Sequence, residues 1–237
     1  MEERIEKIKS GAHWSVNIRP TSFEKQRIKK LSDVRRIVEE CRVSLRGWDY
    51  PWVDPDETCN GNDWVQSGCD WEDIVEYWRF YQSAQFIHYF SSKEDQDPEA
   101  KERARPFHGV VKLPEEPSGY LSILSTLFRF TEIYEFAMRL VQKGVLEPAV
   151  YISIRLGGIK NRQLFFWESG RLLRGPYISR ISQIDISPKT LPVDELLARG
   201  HEIALEDCIY LFERFNWDEP PRQIFLEEQR KFLERKL

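Results

Sequence analysis

Between Tyr120 and Gln142 the chain carries apolar side chains around most of the circumference of a helix. Leu121, Leu124, Leu127, Phe128, Ile133, Tyr134, Ala137, Met138 and Val141 recur at intervals of three and four. The charged residues are confined to Arg129, Glu132, Glu135 and Arg139. A helix of this kind has no broad face to give to water, so it belongs inside the fold with other elements packed around it. The period predicts a central helix over about 119–143, stopped by Gly144. Its four charges argue against a membrane span, and Glu135 and Arg139, at i and i+4, make an internal ion pair.

The segments around it read mostly as strands. Trp14 to Ile18 alternates at period two and ends at Pro20. Leu31 to Cys41 is a helix with an apolar stripe of Leu31, Val34, Ile37, Val38 and Cys41, and Ser32 is placed to cap it. A short strand at Val43–Leu45 runs into a turn held by Gly47 and Pro51, and Asp54 to Gly68 reads as a long loop. Tyr77 to Phe90 reads as a hairpin turning at Ser83-Ala84. Further strands fall at Phe107–Leu113, Ala149–Leu156, Arg162–Trp167 and Pro176–Ile186. A helix with a break at Gly200 follows over Pro192–Phe215, and another after Pro220-Pro221. Runs of adjacent strands with few helices between them predict an α+β fold. Its sheet is mainly antiparallel, packed by the central helix and the C-terminal helices. The expectation is one domain over 1–237, with 1–12 as a charged tail or short helix and 91–106 as a polar, mobile loop.

A net charge of -4 gives no global pull toward nucleic acid or anionic lipid. The N-terminus has no apolar stretch of the signal-peptide kind, so a cytoplasmic protein with no membrane association is expected. Cys41, Cys59, Cys69 and Cys208 then read as free thiols. No cofactor loop is found: Gly157-Gly158 lacks the spacing of a phosphate loop and joins two strands.

Chemistry concentrates between Trp48 and Trp78, which hold five of the eight tryptophans. From Asp54 to Glu76 there are eight acids and no Lys or Arg. Asp70, Asp73 and Glu76 share a face if they lie on a helical turn, and Asp70 with Asp73 is the candidate for a metal pair in a hydrolase. A solvated helix start explains the same spacing. Asp56 to Ser67 departs from a calcium loop at its eighth and twelfth positions. In the hairpin, a turn at Ser83-Ala84 pairs Tyr81 with Phe86, Arg79 with His88 and Tyr77 with Phe90. Those six then share one aromatic and cationic face, and Trp78, Phe80, Ile87 and Tyr89 form the core face. With Trp48 and Asp49 from the preceding turn, Tyr77, Arg79, Tyr81, Phe86 and His88 make the candidate ligand-binding set. Basic residues also cluster over 25–46 and 155–180.

Arg46-Gly47-Trp48-Asp49-Tyr50-Pro51, Tyr77-Trp78-Arg79-Phe80-Tyr81-Gln82-Ser83 and Phe215-Asn216-Trp217-Asp218 resemble runs in a family of uncharacterised prokaryotic proteins with an RGWDYP-type motif. The resemblance implies one continuous unit across 46–218 and no particular activity. The residues themselves favour a non-enzymatic binding or protein-interaction module, with a protein partner or a second copy of the chain engaging the aromatics. Nucleic-acid binding on the aromatic and basic sheet face is the alternative, and a metal-assisted hydrolase is the third reading.

Overall fold

Period-two burial runs the length of β1 (His13–Pro20), with Trp14, Val16 and Ile18 inside. The computed structural model describes residues 2–71, 74–97, 116–167, 173 and 175–236. Before the central helix lie α1 (Glu2–Lys9), β1, α2 (Leu31–Cys41), β2 (Val43–Arg46), β3 (Trp48–Tyr50), β4 (Cys59–Asn60), β5 (Trp64–Asp70), β6 (Val75–Tyr81), β7 (Phe86–Ser91), α3 (Lys93–Gln96) and β8 (Gly119–Ser122). Then come α4 (Ile123–Gln142), β9 (Ala149–Gly157), β10 (Arg162–Phe165), β11 (Gln183–Pro192), α5 (Val193–Glu213) and α6 (Arg222–Leu233).

Seven strands form one antiparallel sheet in the order β11-β9-β1-β7-β6-β5-β4. β2 and β3 make a separate small hairpin, and β8 pairs in parallel with β10. The fold is α+β, and α4 packs with α5 and α6 as the periodicity predicts. One face of the sheet meets α2, α4 and α5 through a continuous core. Trp14 meets Phe130 of α4 edge-on at 5.6 Å, and Phe86 meets Phe136 at 4.8 Å. α4 starts where the Ser122 hydroxyl accepts a hydrogen bond from the Ser125 N–H, and ends at Gly144, whose φ is +70°. Among the described residues, no helix is long and apolar enough to cross a membrane.

Several boundaries differ from the sequence reading. Trp64–Asp70 is a strand and not the end of a long loop, because Ser67 and Gly68 interrupt the apolar alternation that would have marked it. Residues 2–9 form a helix docked on the outer face of the sheet, with Ile8 packed against Val75 and Tyr77. Ser32 does not cap α2, which begins one residue earlier without a side-chain cap. Tyr120 to Ser122 belong to β8, and β11 starts at Gln183. Gly200 does not break α5: a Cβ there would come within 2.6 Å of the Met138 sulfur, so glycine permits the close approach of α4. Of the expected mobile loop, Ser91 ends β7 and Lys93–Gln96 is helical, and residues 98–106 lie outside the described residues, as does the strand expected at 107–113.

Phe136 is wholly buried between Phe86 and Tyr50. Phe136→Ala is expected to lower unfolding stability by about 3–5 kcal/mol in a denaturant titration. Phe23→Ala, at a site 83% exposed, is expected to change it by under about 0.5 kcal/mol.

Candidate functional site

The hairpin that carries the expected ligand face has a loop that begins one residue earlier than the sequence suggests. Its loop is Gln82-Ser83-Ala84, with the Tyr81 N–H donating to the Gln85 carbonyl at 2.9 Å and Ala84 in the left-handed region at φ +63°. The extra loop residue shifts the register by one. Phe80 pairs with Phe86, Trp78 with His88 and Glu76 with Phe90. Phe86 and His88 therefore face the core beside Trp78 and Phe80, and Ile87 and Tyr89 face outward. Tyr77, Arg79 and Tyr81 lie on the opposite face from His88, so the six-residue face does not form.

The outward set has its own contacts. Arg79 lies over the Trp64 ring at 4.0 Å and donates to the Gln66 side-chain carbonyl at 2.7 Å. Asp49 accepts from Arg42 at 3.1 Å and from the Ser44 hydroxyl at 2.5 Å, away from His88. Asp70 ends β5 in an ion pair with Lys7 and does not share a helical face with Glu76, which lies on the neighbouring strand. Asp73 lies outside the described residues. Among the described residues, no group of three His, Cys, Asp or Glu side chains could hold a metal ion.

The inward set builds a different site. Alternation carried two residues back from Trp78 puts Glu76 on the core face, where it is 1% exposed. This phase was legible in Glu76-x-Trp78-x-Phe80, but reading Glu76 as part of a helical turn concealed it. One Glu76 oxygen accepts the Trp52 N–H at 2.8 Å, and the other lies 3.8 Å from Nε2 of His88, which is fully buried. Burial raises the Glu76 carboxyl to about 7, against the attraction of Arg129 and the Trp52 N–H. The Trp48 indole N–H also favours the ionised form, from beyond normal hydrogen-bond geometry, since its nitrogen has no partner. Burial, and then Arg129, push His88 well below the usual imidazole range. The imidazole is therefore neutral, packed among Tyr50, Phe86 and Phe90, and neither ring nitrogen has a hydrogen-bond partner among the described residues.

Glu76 forms part of the wall of a cleft of about 360 Å³. Trp48 is stacked on Trp52 at 4.6 Å, and Trp71 meets both edge-on. Gly47, at φ +30°, makes the tight turn between β2 and β3 that puts Arg46 and Trp48 on either side of it in the cleft lining. Arg46 donates twice to the buried Glu132, both bonds at 2.9 Å, and Arg129 lies 3.2 Å from the same carboxylate. Ser125 and Thr126, in the first turn of α4, line the other side with Lys93 and Glu94. Of the predicted ligand set, Trp48 alone lines this cleft. A scan of family profiles and searches of curated proteins and solved structures matched nothing to this chain.

Glu76 and His88 leave opposite marks on stability. The folded chain keeps the Glu76 proton up to about pH 7, whereas an ordinary carboxyl loses it near 4.5. The folded state then binds the extra proton, so this contribution falls by about 3 kcal/mol as pH rises from 4.5 to 7. His88 stays neutral when the unfolded chain gains a proton below about 6.5, so its contribution is lost as pH falls. Relative to wild type, Glu76→Gln is expected to gain stability as pH rises from 5 to 7.5, and His88→Leu to gain as pH falls from 7 to 5. Denaturant titrations across that range check both slopes; offsets independent of pH would contradict the assignment.

Proposed function

We propose that this protein binds a small organic molecule in the cleft between the β2–β3 turn and the first turn of α4. The carrying observation is that the cleft presents polar groups without partners among flat apolar walls. Thr126 is 2% exposed, and neither its hydroxyl nor the indole N–H of the half-buried Trp48 has a hydrogen-bond partner among the described residues. Orphaned buried donors normally cost stability, and a pocket of this size with a few convergent polar groups is the usual form of a ligand site. The tryptophans support a pocket more than a docking surface. Trp48 and Trp52 are half-buried against each other, and Trp71 is the member of the trio that is exposed. Binding is favoured over nucleophilic chemistry because the nearby thiol of Cys69 is pushed up by burial to about 12.

Ser125→Trp places an indole in the cleft and leaves the backbone capping bond of Ser125 intact. In a thermal-shift screen of small organic molecules, hits are expected to stabilise wild type, by about 2.7 kcal/mol at 100 times Kd. The same hits are expected not to stabilise Ser125→Trp. Hits that act equally on both proteins would contradict the reading.

The outer sheet face supports a second reading, nucleic-acid binding. Arg19 lies over Tyr151 at 4.2 Å on the same face as Arg79, Tyr81, Trp64 and Tyr89. Stacked arginines and half-buried aromatics on an open sheet suit single-stranded bases. This reading predicts oligonucleotide affinity that falls with added salt and weakens in Arg19→Ala and Arg79→Ala. No binding at low salt in a fluorescence-anisotropy titration would remove it.

A further inference from the structure

The charges that face the cleft narrow its ligand class, an inference that rests on the small-molecule reading above. Arg46, Arg129 and Lys93 line the cleft, and Glu132 and Glu94 are the acids beside them apart from Glu76. Both acids are already engaged. Glu132 takes both arginines, and Glu94 accepts the Ser122 N–H at 2.9 Å and the Ser92 hydroxyl at 2.6 Å. With the Glu76 carboxyl protonated, three basic side chains against two acidic ones leave one positive charge in surplus. The N-terminal end of α4, a helix of 20 residues, adds to it, because Ser125 and Thr126 bring its first turn to the cleft. The Thr126 hydroxyl, buried in that turn, has no hydrogen-bond partner among the described residues. Trp14, Trp48 and Phe90 supply flat walls.

We infer that the cleft binds a small planar aromatic carboxylate, its carboxylate at the first turn of α4 beside Arg129 and Thr126 and its ring against Trp48. A single negative charge matches the single surplus positive one, whereas a phosphate dianion exceeds it. Trp48 offers the ring a stacking surface, and the Thr126 hydroxyl gains the acceptor it lacks.

Glu76 makes this binding depend on pH. The groups that face it are His88 on β7, Cys69 on β5, Trp48 and Tyr50 on β3, Trp52 after it, and Arg129 and Glu132 on α4. When Glu76 ionises, its charge cancels the surplus, so affinity for an anion falls as pH rises through 7.

The test is calorimetric titration with 2-naphthoate, the neutral 2-naphthamide and inorganic phosphate at pH 6 and pH 8. At pH 6 the carboxylate is expected to bind at least about tenfold tighter than the amide. Thr126→Val is expected to weaken the carboxylate about fivefold and the amide less, and Arg129→Gln to remove the preference. From pH 6 to 8 the carboxylate affinity of wild type is expected to fall about tenfold, and that of Glu76→Gln to stay level. Equal affinity for acid and amide would overturn the anion class and leave the small-molecule reading standing. Phosphate binding tighter than naphthoate would overturn the aromatic carboxylate. Failure of both naphthyl compounds at millimolar concentration would also overturn it, and the screen against Ser125→Trp then decides the fate of the cleft separately.

Discussion

A carboxylate buried in the middle of an apolar helix sets the geometry of this protein. Glu132, on α4, is 1% exposed, and Arg46 and Arg129 close on it from two elements. Arg46 comes from the β2–β3 hairpin, which among the described residues is hydrogen-bonded to no other strand, so this ion pair ties the hairpin to the helix. Removing one partner of such a cluster leaves an unpaired buried charge, which costs about 3–5 kcal/mol. The rings of Phe128 and Phe232 lie within 6 Å of the Arg46 guanidinium and shield it further. The cleft exists because the hairpin is held at this distance from α4, with Gly47 allowing the chain to reverse between Arg46 and Trp48.

That arrangement also explains the state of Glu76. Two guanidiniums share one carboxylate, so their attraction for a second acid is weakened, and the nearby Glu132 charge opposes ionisation of Glu76. Burial then dominates, and a carboxyl that would be an anion elsewhere on the chain carries its proton close to neutrality. His88, hemmed in by three aromatic rings and facing Arg129, cannot take that proton. The outcome is a neutral acid–imidazole pair beside a net positive cleft.

The framework was legible in the sequence where one period ran unbroken. Tyr120 to Gln142 announced the central helix because its apolar residues leave no polar face, and the pair Glu135–Arg139 forms at 2.8 Å as its spacing implies. The site was less legible for two physical reasons. Strand phase depends on a single loop residue, and Ala84 adopts a left-handed backbone that its side chain gives no reason to expect. Without that residue, Arg79 and His88 would share one face. Distant pairings were hidden as well. Nothing in the local sequence couples Arg46 to Glu132, 86 positions away, and the narrow charged stripe of α4 gives no sign that it anchors the hairpin and His201, which bonds Glu135 at 2.9 Å. The Trp-rich segment was rightly singled out as unusual, but its acids divide: Glu76 turns inward and Asp70 lies at the surface.

Glu76 is buried and keeps its proton close to neutrality, and a carbon-detected NMR titration of the side-chain carboxyls reads this directly. One glutamate carbon, assigned through Glu76→Gln, is predicted to move with a midpoint at about 7, while the His88 ring nitrogens keep a neutral tautomer through the same range. A Glu76 carbon that titrates at about 4.5 with ordinary surface glutamates would mean that water reaches it, and the charge balance assigned to the cleft would be wrong.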